Sequence, residues 1–514
     1  MNPAKPADDS DDLATLAKGG RTNTMGFVLR LVARIPFLII ATRLYGPEAL
    51  GRFASALVLI EILALVCSLG EKRGLAQRLS EGAGDDRSRE ANFVYDGIVL
   101  SLLYSGLAAF ILWLFPAPMF PNGMNGPADM WLIAAIPAFA VTEILLAAQA
   151  YRFDIATTVR ARAVVEPWVI SIGAGVFFYL PGTRDSGLAF AYIASVFAGL
   201  LTAAWPFLRT YGLPRDWRVG PRKFLRMSSR AFPLIGADAI ERGTRLLDIF
   251  ILGLFAPPAA VGIYYAAQQI ASLPQKLKTS FEPILSPVIT KNLRTGNYAA
   301  IAAQVRQVGF WIIAVQAGIA LMLALPGEAV MGLWGPSYVA GTAALTFLLA
   351  AEVVASTAVV SESVLVYIAR KRNLAISVGI IALQAALTMG FVTLATRYDM
   401  SEGFKAAGAA GALLLSLAAS SLIKAVLLKS LLKAPVSNWR WPLVYAAAAA
   451  VAVGFAAKLL PEWAELLVGV PAIAAVYGYV IWHRGFGPED RVLFRKNIAP
   501  DAENEGETNP QTER

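Results

Sequence analysis

RLYGPEALGRFASALVLIEIL occupies residues 43–63, and LFAPPAAVGIYYAAQQIASLP occupies residues 254–274. Both read as a tight turn built on Gly or Pro, followed by an apolar helix. Pro47 matches Pro257, Gly51 matches Gly262 and Phe53 matches Tyr264, a separation of 210–211 residues. A third phrase of this kind, LWGPSYVAGTAALTFLLAAE, begins at Leu333. Each glycine lets the next helix start close to its partner, because no Cβ stands between the backbones. A hairpin repeated after six spans keeps its orientation in a bilayer. The two copies then head parallel repeats about an axis along the membrane normal.

The rest of the chain supplies those spans. Hydrophobic residues make up 57% and charged residues only 16%, against about 25% charged in soluble domains. Apolar stretches fall near 24–45, 50–70, 92–115, 129–150, 162–180, 186–207, 231–255, 259–281, 306–325, 339–367, 373–395, 405–427, 441–460 and 463–482. A crossing needs about 20 such residues. Every backbone group in lipid must be satisfied within its own segment, so these are helices. The fold class is therefore an all-α polytopic membrane protein with about 14 transmembrane helices. The longest basic connection divides them six and eight. The expected units are a disordered cytoplasmic N-terminus (1–22), a six-helix bundle (23–208), a basic linker (209–230), a second six-helix bundle (231–428), two further helices (429–485) and a disordered cytoplasmic tail (486–514).

Alternate connections carry 24 Lys and Arg on one side and at most six on the other. The positive-inside rule then predicts a multi-pass inner-membrane protein with both termini cytoplasmic. The net charge of +9 does not point to nucleic acid, because the basic residues are spread over short loops without interleaved aromatics. One cysteine, Cys67, and one histidine, His483, exclude an intrachain disulfide, a thiolate metal site and a His-pair relay. No phosphate-binding loop is present, and no catalytic constellation stands out. The chain reads as a protein that is not an enzyme and needs no cofactor or metal.

The phrases LYGPEALGRFA, ERGTRLLDIFILGLFAPPAAVGIYYAAQQIASLP and LWGPSYVAGTAALTFLLA together resemble the Wzx-type polysaccharide flippases. These belong to the multidrug/oligosaccharidyl-lipid/polysaccharide exporter superfamily. The resemblance covers roughly residues 20–485. It implies two six-helix bundles in a V shape with the last two helices appended. It also implies flipping of an undecaprenyl-pyrophosphate-linked oligosaccharide by alternating access, for O-antigen, capsule or exopolysaccharide synthesis. The implied partners are that lipid-linked oligosaccharide, the membrane lipids, a polysaccharide polymerase and a chain-length regulator.

Ionisable groups inside spans are costly and usually face a cavity or a partner. Arg30 and Arg34 share a face of the first helix. Asp238, Glu241, Arg242, Arg245 and Asp248 crowd the seventh. Arg34 precedes Gly51 by 17 residues, as Arg245 precedes Gly262, so the two occupy equivalent places. Guanidinium groups across a cleft suit a pyrophosphate, which takes bidentate donors. Arg34, Arg245, Arg30, Arg242 and Arg52 are thus the expected substrate-binding cations of a cationic central cavity. Asp238, Glu241, Asp248 and Glu61 are candidates for ion coupling or for pairing with the arginines, with Asp238–Arg242 and Glu241–Arg245 at i,i+4. Glu143, Glu166 and Glu352 are further acids within spans. The competing readings are a lipid II flippase, also cationic within, and a multidrug or cation antiporter, with an acidic first bundle. A cavity of net negative charge counts against the cationic mechanism.

Overall fold

The computed structural model describes residues 33–70, 74–75, 78–79, 87–214, 217, 220–278, 289, 292–293, 295–487 and 490. Of these, 87–89, 221, 230, 232–242, 244–245 and 275–278 are described by backbone alone. The expected N-terminal segment 1–22 and the tail from 491 lie outside the described residues, as does Arg30.

Helix α1 (33–45) ends in a π-helical turn, Ala41–Tyr45, and α2 spans Gly46–Cys67. Gly46 sits at φ +80°, outside the helical region, with Pro47 opening the new helix. The chain folds back here. Phe37 and Phe53 bring their ring centroids to 6.4 Å, whereas 16 residues of unbroken helix would separate them by about 24 Å. Then follow α3 (Arg87–Leu114), α4 (Ala135–Tyr151), α5 (Ile155–Tyr179) and α6 (Gly187–Tyr211). The second half holds α7 (Pro221–Phe255), α8 (Pro258–Lys278), α9 (Tyr298–Ala324), α10 (Thr342–Ile368), α11 (Arg370–Arg397) and α12 (Glu402–Leu432). Last come α13 (Pro442–Ala457) and α14 (Glu462–Gly485). Side chains close several helix starts: Asp154 accepts from the Thr157 amide at 3.1 Å, and Asn297 from that of Ala300 at 3.1 Å.

Among the described residues, ten helical stretches are long and apolar enough to cross a membrane, and Leu246–Phe255 and Pro442–Ala457 are shorter apolar helices. The stretch Ala33–Cys67 holds two of the expected spans. Helices α7, α8 and α13 stand apart for physical reasons. The first part of α7 is polar, α8 carries Gln268, Gln269 and two lysines, and α13 is short. Large apolar side chains face outward, including Leu103, Phe110 and Trp113 on α3 and Leu201 and Trp205 on α6. Contiguous exposure of this kind is penalised in water and suits a lipid surround. The chain is an all-helical, multi-pass membrane protein.

The two quoted hairpins meet in space. Helix α2 packs along α8 and α7. A Cβ added at Gly51 would overlap the carbonyl oxygen of Pro258, and one added at Gly262 would overlap that of Pro47. This reciprocity fixes the register at a single shift of 211 residues. Pro47 therefore corresponds to Pro258, and the sequence match to Pro257 is corrected by one position. The third phrase joins the same end. Arg43 donates through Nε and Nη2 to the Leu333 carbonyl at 3.2 and 3.0 Å. Asn122 donates to the Gly253 carbonyl at 2.8 Å.

The opposite end is held by polar contacts. Helix α7 begins at Pro221, within the stretch expected as linker, and that start is bound to the first half. Trp217 Nε1 donates to Asp96 at 3.0 Å, Lys223 pairs with Asp96, and Phe224 packs with Leu69 and Leu100. Asp490, expected in a free tail, is instead docked. It accepts from Arg440 at 2.7 Å, the Trp311 indole at 2.8 Å and the Gly487 amide at 3.0 Å.

Candidate functional site

Between the halves lies a cavity of about 800 Å³. Helix α1 brings Arg34 to it. Helix α2 brings Ala54, Leu57, Val58 and Glu61, an i, i+3, i+4, i+7 face. Helices α4 and α5 add Glu143, Arg162 and Glu166, and α6 adds Tyr192 and Ser195. From the second half come Tyr265, Gln268, Gln269 and Ser272 of α8 and Glu352 of α10. Tyr265 stands within electrostatic reach of Arg34 and Glu61, so the middle of the cavity joins both halves.

One charge group here was not singled out by the spacing of arginines. Arg162 pairs with Glu143 and with Glu166, the latter at 2.6 Å. Its guanidinium also lies 4.2 Å from the centroid of the Phe139 ring. Its side chain is 9% exposed, whereas the two glutamates keep 18% and 17%. The carboxylates thus face the cavity more than the cation does. Two local features place the group. Helix α5 passes through a π-helical segment, Arg160–Val165, which re-aims side chains and recurs at functional sites. Gly199 of α6 makes room for Glu166, whose carboxylate a Cβ there would strike.

The other expected site residues divide. Arg34 and Glu61 line the cavity. Arg245, Arg242, Asp238 and Glu241 sit on the described backbone of α7, but their side chains lie outside the described residues. Arg52 does not line the cavity. It follows Gly51, where the halves close, and donates to Asn125 Oδ1 at 3.4 Å. Two residues separate it from Ala54, or about 200° around the helix, so it points away from the cavity face. Asp248 is also off the lining. It is fully buried and accepts from Tyr264 at 2.9 Å, Gln384 at 2.8 Å and Thr388 at 3.1 Å, joining α7, α8 and α11.

Of the expected cations, Arg34 lines the cavity and Arg52 does not, while the side chains of Arg30, Arg242 and Arg245 lie outside the described residues. Among the described residues the lining carries Arg34 and Arg162 against Glu61, Glu143, Glu166 and Glu352. The described part of the lining is mixed in charge, with four carboxylates to two guanidinium groups. Two of the four glutamates, Glu143 and Glu166, are gathered around Arg162.

Comparison with solved structures places this architecture. It is similar to an inward-facing multidrug resistance MATE family transporter of the MOP superfamily, with a TM-score of 0.63 and 17% identity, covering 79% of this chain and 98% of that one. It is similar to the lipid II flippase MurJ in an inward closed conformation, with a TM-score of 0.65 and 11% identity, covering 93% and 100%. An outward-facing MATE structure aligns less well, with a TM-score of 0.55 and 15% identity, covering 82% and 95%. These likenesses establish a shared fold. No match was found among curated proteins. The model of one family, described as polysaccharide biosynthesis protein, matches residues 16–293, more than half of the chain, and the chain belongs to that family.

Proposed function

We propose that the protein moves an undecaprenyl-pyrophosphate-linked oligosaccharide across the inner membrane by alternating access, as a step in polysaccharide synthesis. The cavity carries this reading. It holds about 800 Å³, lies between halves related by a 211-residue repeat, and offers hydroxyls, amides and Arg34 in a chain of a polysaccharide biosynthesis family. Sugars need hydrogen-bonding walls, and the prenyl chain stays in lipid at the gap between the halves. Arg34 supplies a permanently charged, forked donor for the pyrophosphate. Arg162 offsets one of the two carboxylates beside it, so the Glu143–Arg162–Glu166 group repels a phosphate less than the bare glutamates would.

The two halves act as the moving bodies, with α1 to α6 in one, α7 to α12 in the other, and α13 and α14 appended. Closure at Gly51 and Gly262 seals one end, so the cavity serves the opposite end in this state. The termini lie in the cytoplasm on this reading. Reporters at Arg218 and at the C-terminus should score as cytoplasmic and one at Asn122 as periplasmic; a periplasmic C-terminus overturns the arrangement.

Proteoliposomes test the function directly. Wild-type protein should carry an undecaprenyl-pyrophosphate-linked oligosaccharide between leaflets. Arg34→Ala should slow this at least about tenfold, because a desolvated phosphate loses a charge-assisted donor. Arg34→Lys should restore part of the rate, having charge without the planar fork. Normal flipping by Arg34→Ala removes the arginine from the mechanism. The excess of carboxylates among the described lining residues favours a second reading, a cation exporter. Efflux of ethidium by cells expressing the protein, with no movement of the lipid-linked sugar in liposomes, would establish that alternative.

A further inference from the structure

The repeat shift of 211 residues maps the cavity faces of α2 and α8 onto each other. Ala54, Leu57, Val58 and Glu61 of α2 correspond to Tyr265, Gln268, Gln269 and Ser272 of α8, and all eight line the cavity. The backbone scaffold is the same on both sides, as the reciprocal glycine contacts show. The chemistry is not. One face presents three apolar side chains and a carboxylate. The other presents a phenol, two amides and a hydroxyl, all without charge.

We propose that this α8 face is the saccharide-recognition surface of the cavity, with Arg34 of the first half reserved for the anionic end of the substrate. The inference rests on the flippase reading above. The four α8 residues are partly exposed, while Ala266, Ala267, Ile270 and Ala271 between them, and Tyr264 before them, are buried. The helix thus turns its polar stripe to the cavity and its apolar surface to the protein. Polar groups at membrane depth are costly away from water or a partner; Gln268 and Ser272 have partners within the protein, and all four side chains border the cavity, where a polar occupant can reach them. An amide carries two donors and an acceptor, and the Gln269 amide at the cavity wall complements neighbouring sugar hydroxyls. The Tyr265 ring provides a flat apolar face with a polar tip, suited to the carbon-bound hydrogens of a pyranose. Ser272 donates to the Gln269 carbonyl at 2.7 Å, which leaves its oxygen as an acceptor toward the cavity. The set selects hydroxyl-rich, uncharged surface over phosphate.

The paralogous face supplies the test. Gln268→Leu with Gln269→Val copies Leu57 and Val58 of α2, side chains that the same scaffold already accommodates. Two probes are bound to protein in lipid nanodiscs. One is the undecaprenyl-pyrophosphate-linked oligosaccharide extracted from source cells depleted of this protein. The other is undecaprenyl pyrophosphate without sugar. Wild type should bind the sugar-bearing lipid more tightly than the bare one. The double variant should lose about tenfold or more for the sugar-bearing lipid, through two or more lost hydrogen bonds, while holding the bare lipid unchanged. Tyr265→Leu, made separately, should lower affinity for the sugar-bearing lipid alone as well. Unchanged sugar-lipid affinity in both variants, or equal loss for both probes, overturns the assignment. If wild type binds neither probe above ordinary phospholipid, the flippase reading itself falls.

Discussion

Arg162 shows how a residue's neighbours decide its meaning. In the sequence it stands beside Arg152 and Arg160, at the edge of the span expected over 162–180. In the structure α5 continues through it, and Glu143 and Glu166 enclose it at the cavity wall. The i,i+4 spacing of Arg162 and Glu166 was a usable signal, but it was spent on topology. Arg34 and Glu61 were easier to read because each interrupts an apolar run. Asp248 was legible as a buried acid, though not its neutral donors, which come from α8 and α11. We predict that Arg162→Ala destabilises the protein by about 3–5 kcal/mol, the usual cost of removing one partner from a buried ion group. Adding Glu143→Gln and Glu166→Gln should recover much of that loss in thermal unfolding. A lone Arg162→Ala with unchanged melting shows that the group is not structural.

At the scale of elements, the helices were well marked by hydropathy, but their ends depend on single residues. Gly46 at φ +80° divides one apolar stretch into two helices, and the Gly-Pro pair there announced it. The docked tail was not announced. Asp490 follows a Gly-Pro stretch and reads as solvent-exposed, yet four donors from α9, the α12–α13 connection and Gly487 converge on it. Burial alone would raise its carboxyl, but Arg440, the Gly487 amide and the Trp311 indole outweigh burial and hold it below the ordinary 3.8. The sign follows from linkage. A lowered folded-state value adds stability above the unfolded value, near 3.8, and that stability is lost as pH falls through the folded one. Asp490→Asn should therefore lower the melting temperature at neutral pH. The gap between variant and wild type should close below about pH 4. A gap that persists in acid assigns the effect to packing and not to the carboxylate.

At the scale of the whole molecule, the repeat carried the most information. Its approximate match in sequence became a single 211-residue shift once the halves were seen to touch. The sequence left a one-residue ambiguity because Pro257 and Pro258 are adjacent; only contact across the interface separates them. The same interface makes alternating access testable. Gly51 and Gly262 each admit the other half's backbone where a methyl group would overlap a carbonyl. Gly51→Ala and Gly262→Ala should thus act as equivalent wedges, forcing the sealed end apart while leaving each half's own packing in place. Ser55 lies just inside this seal, against Gly253, and the one native cysteine, Cys67, is buried. A Ser55→Cys reporter can therefore be labelled with a membrane-impermeant maleimide applied from the sealed side. Labelling should be slow in the parent and faster in both glycine variants, by similar factors, because the two contacts are reciprocal. Acceleration in one variant alone would break the symmetry argument. No acceleration in either, with normal membrane abundance, would mean that the seal lies elsewhere and that the halves do not part at these glycines.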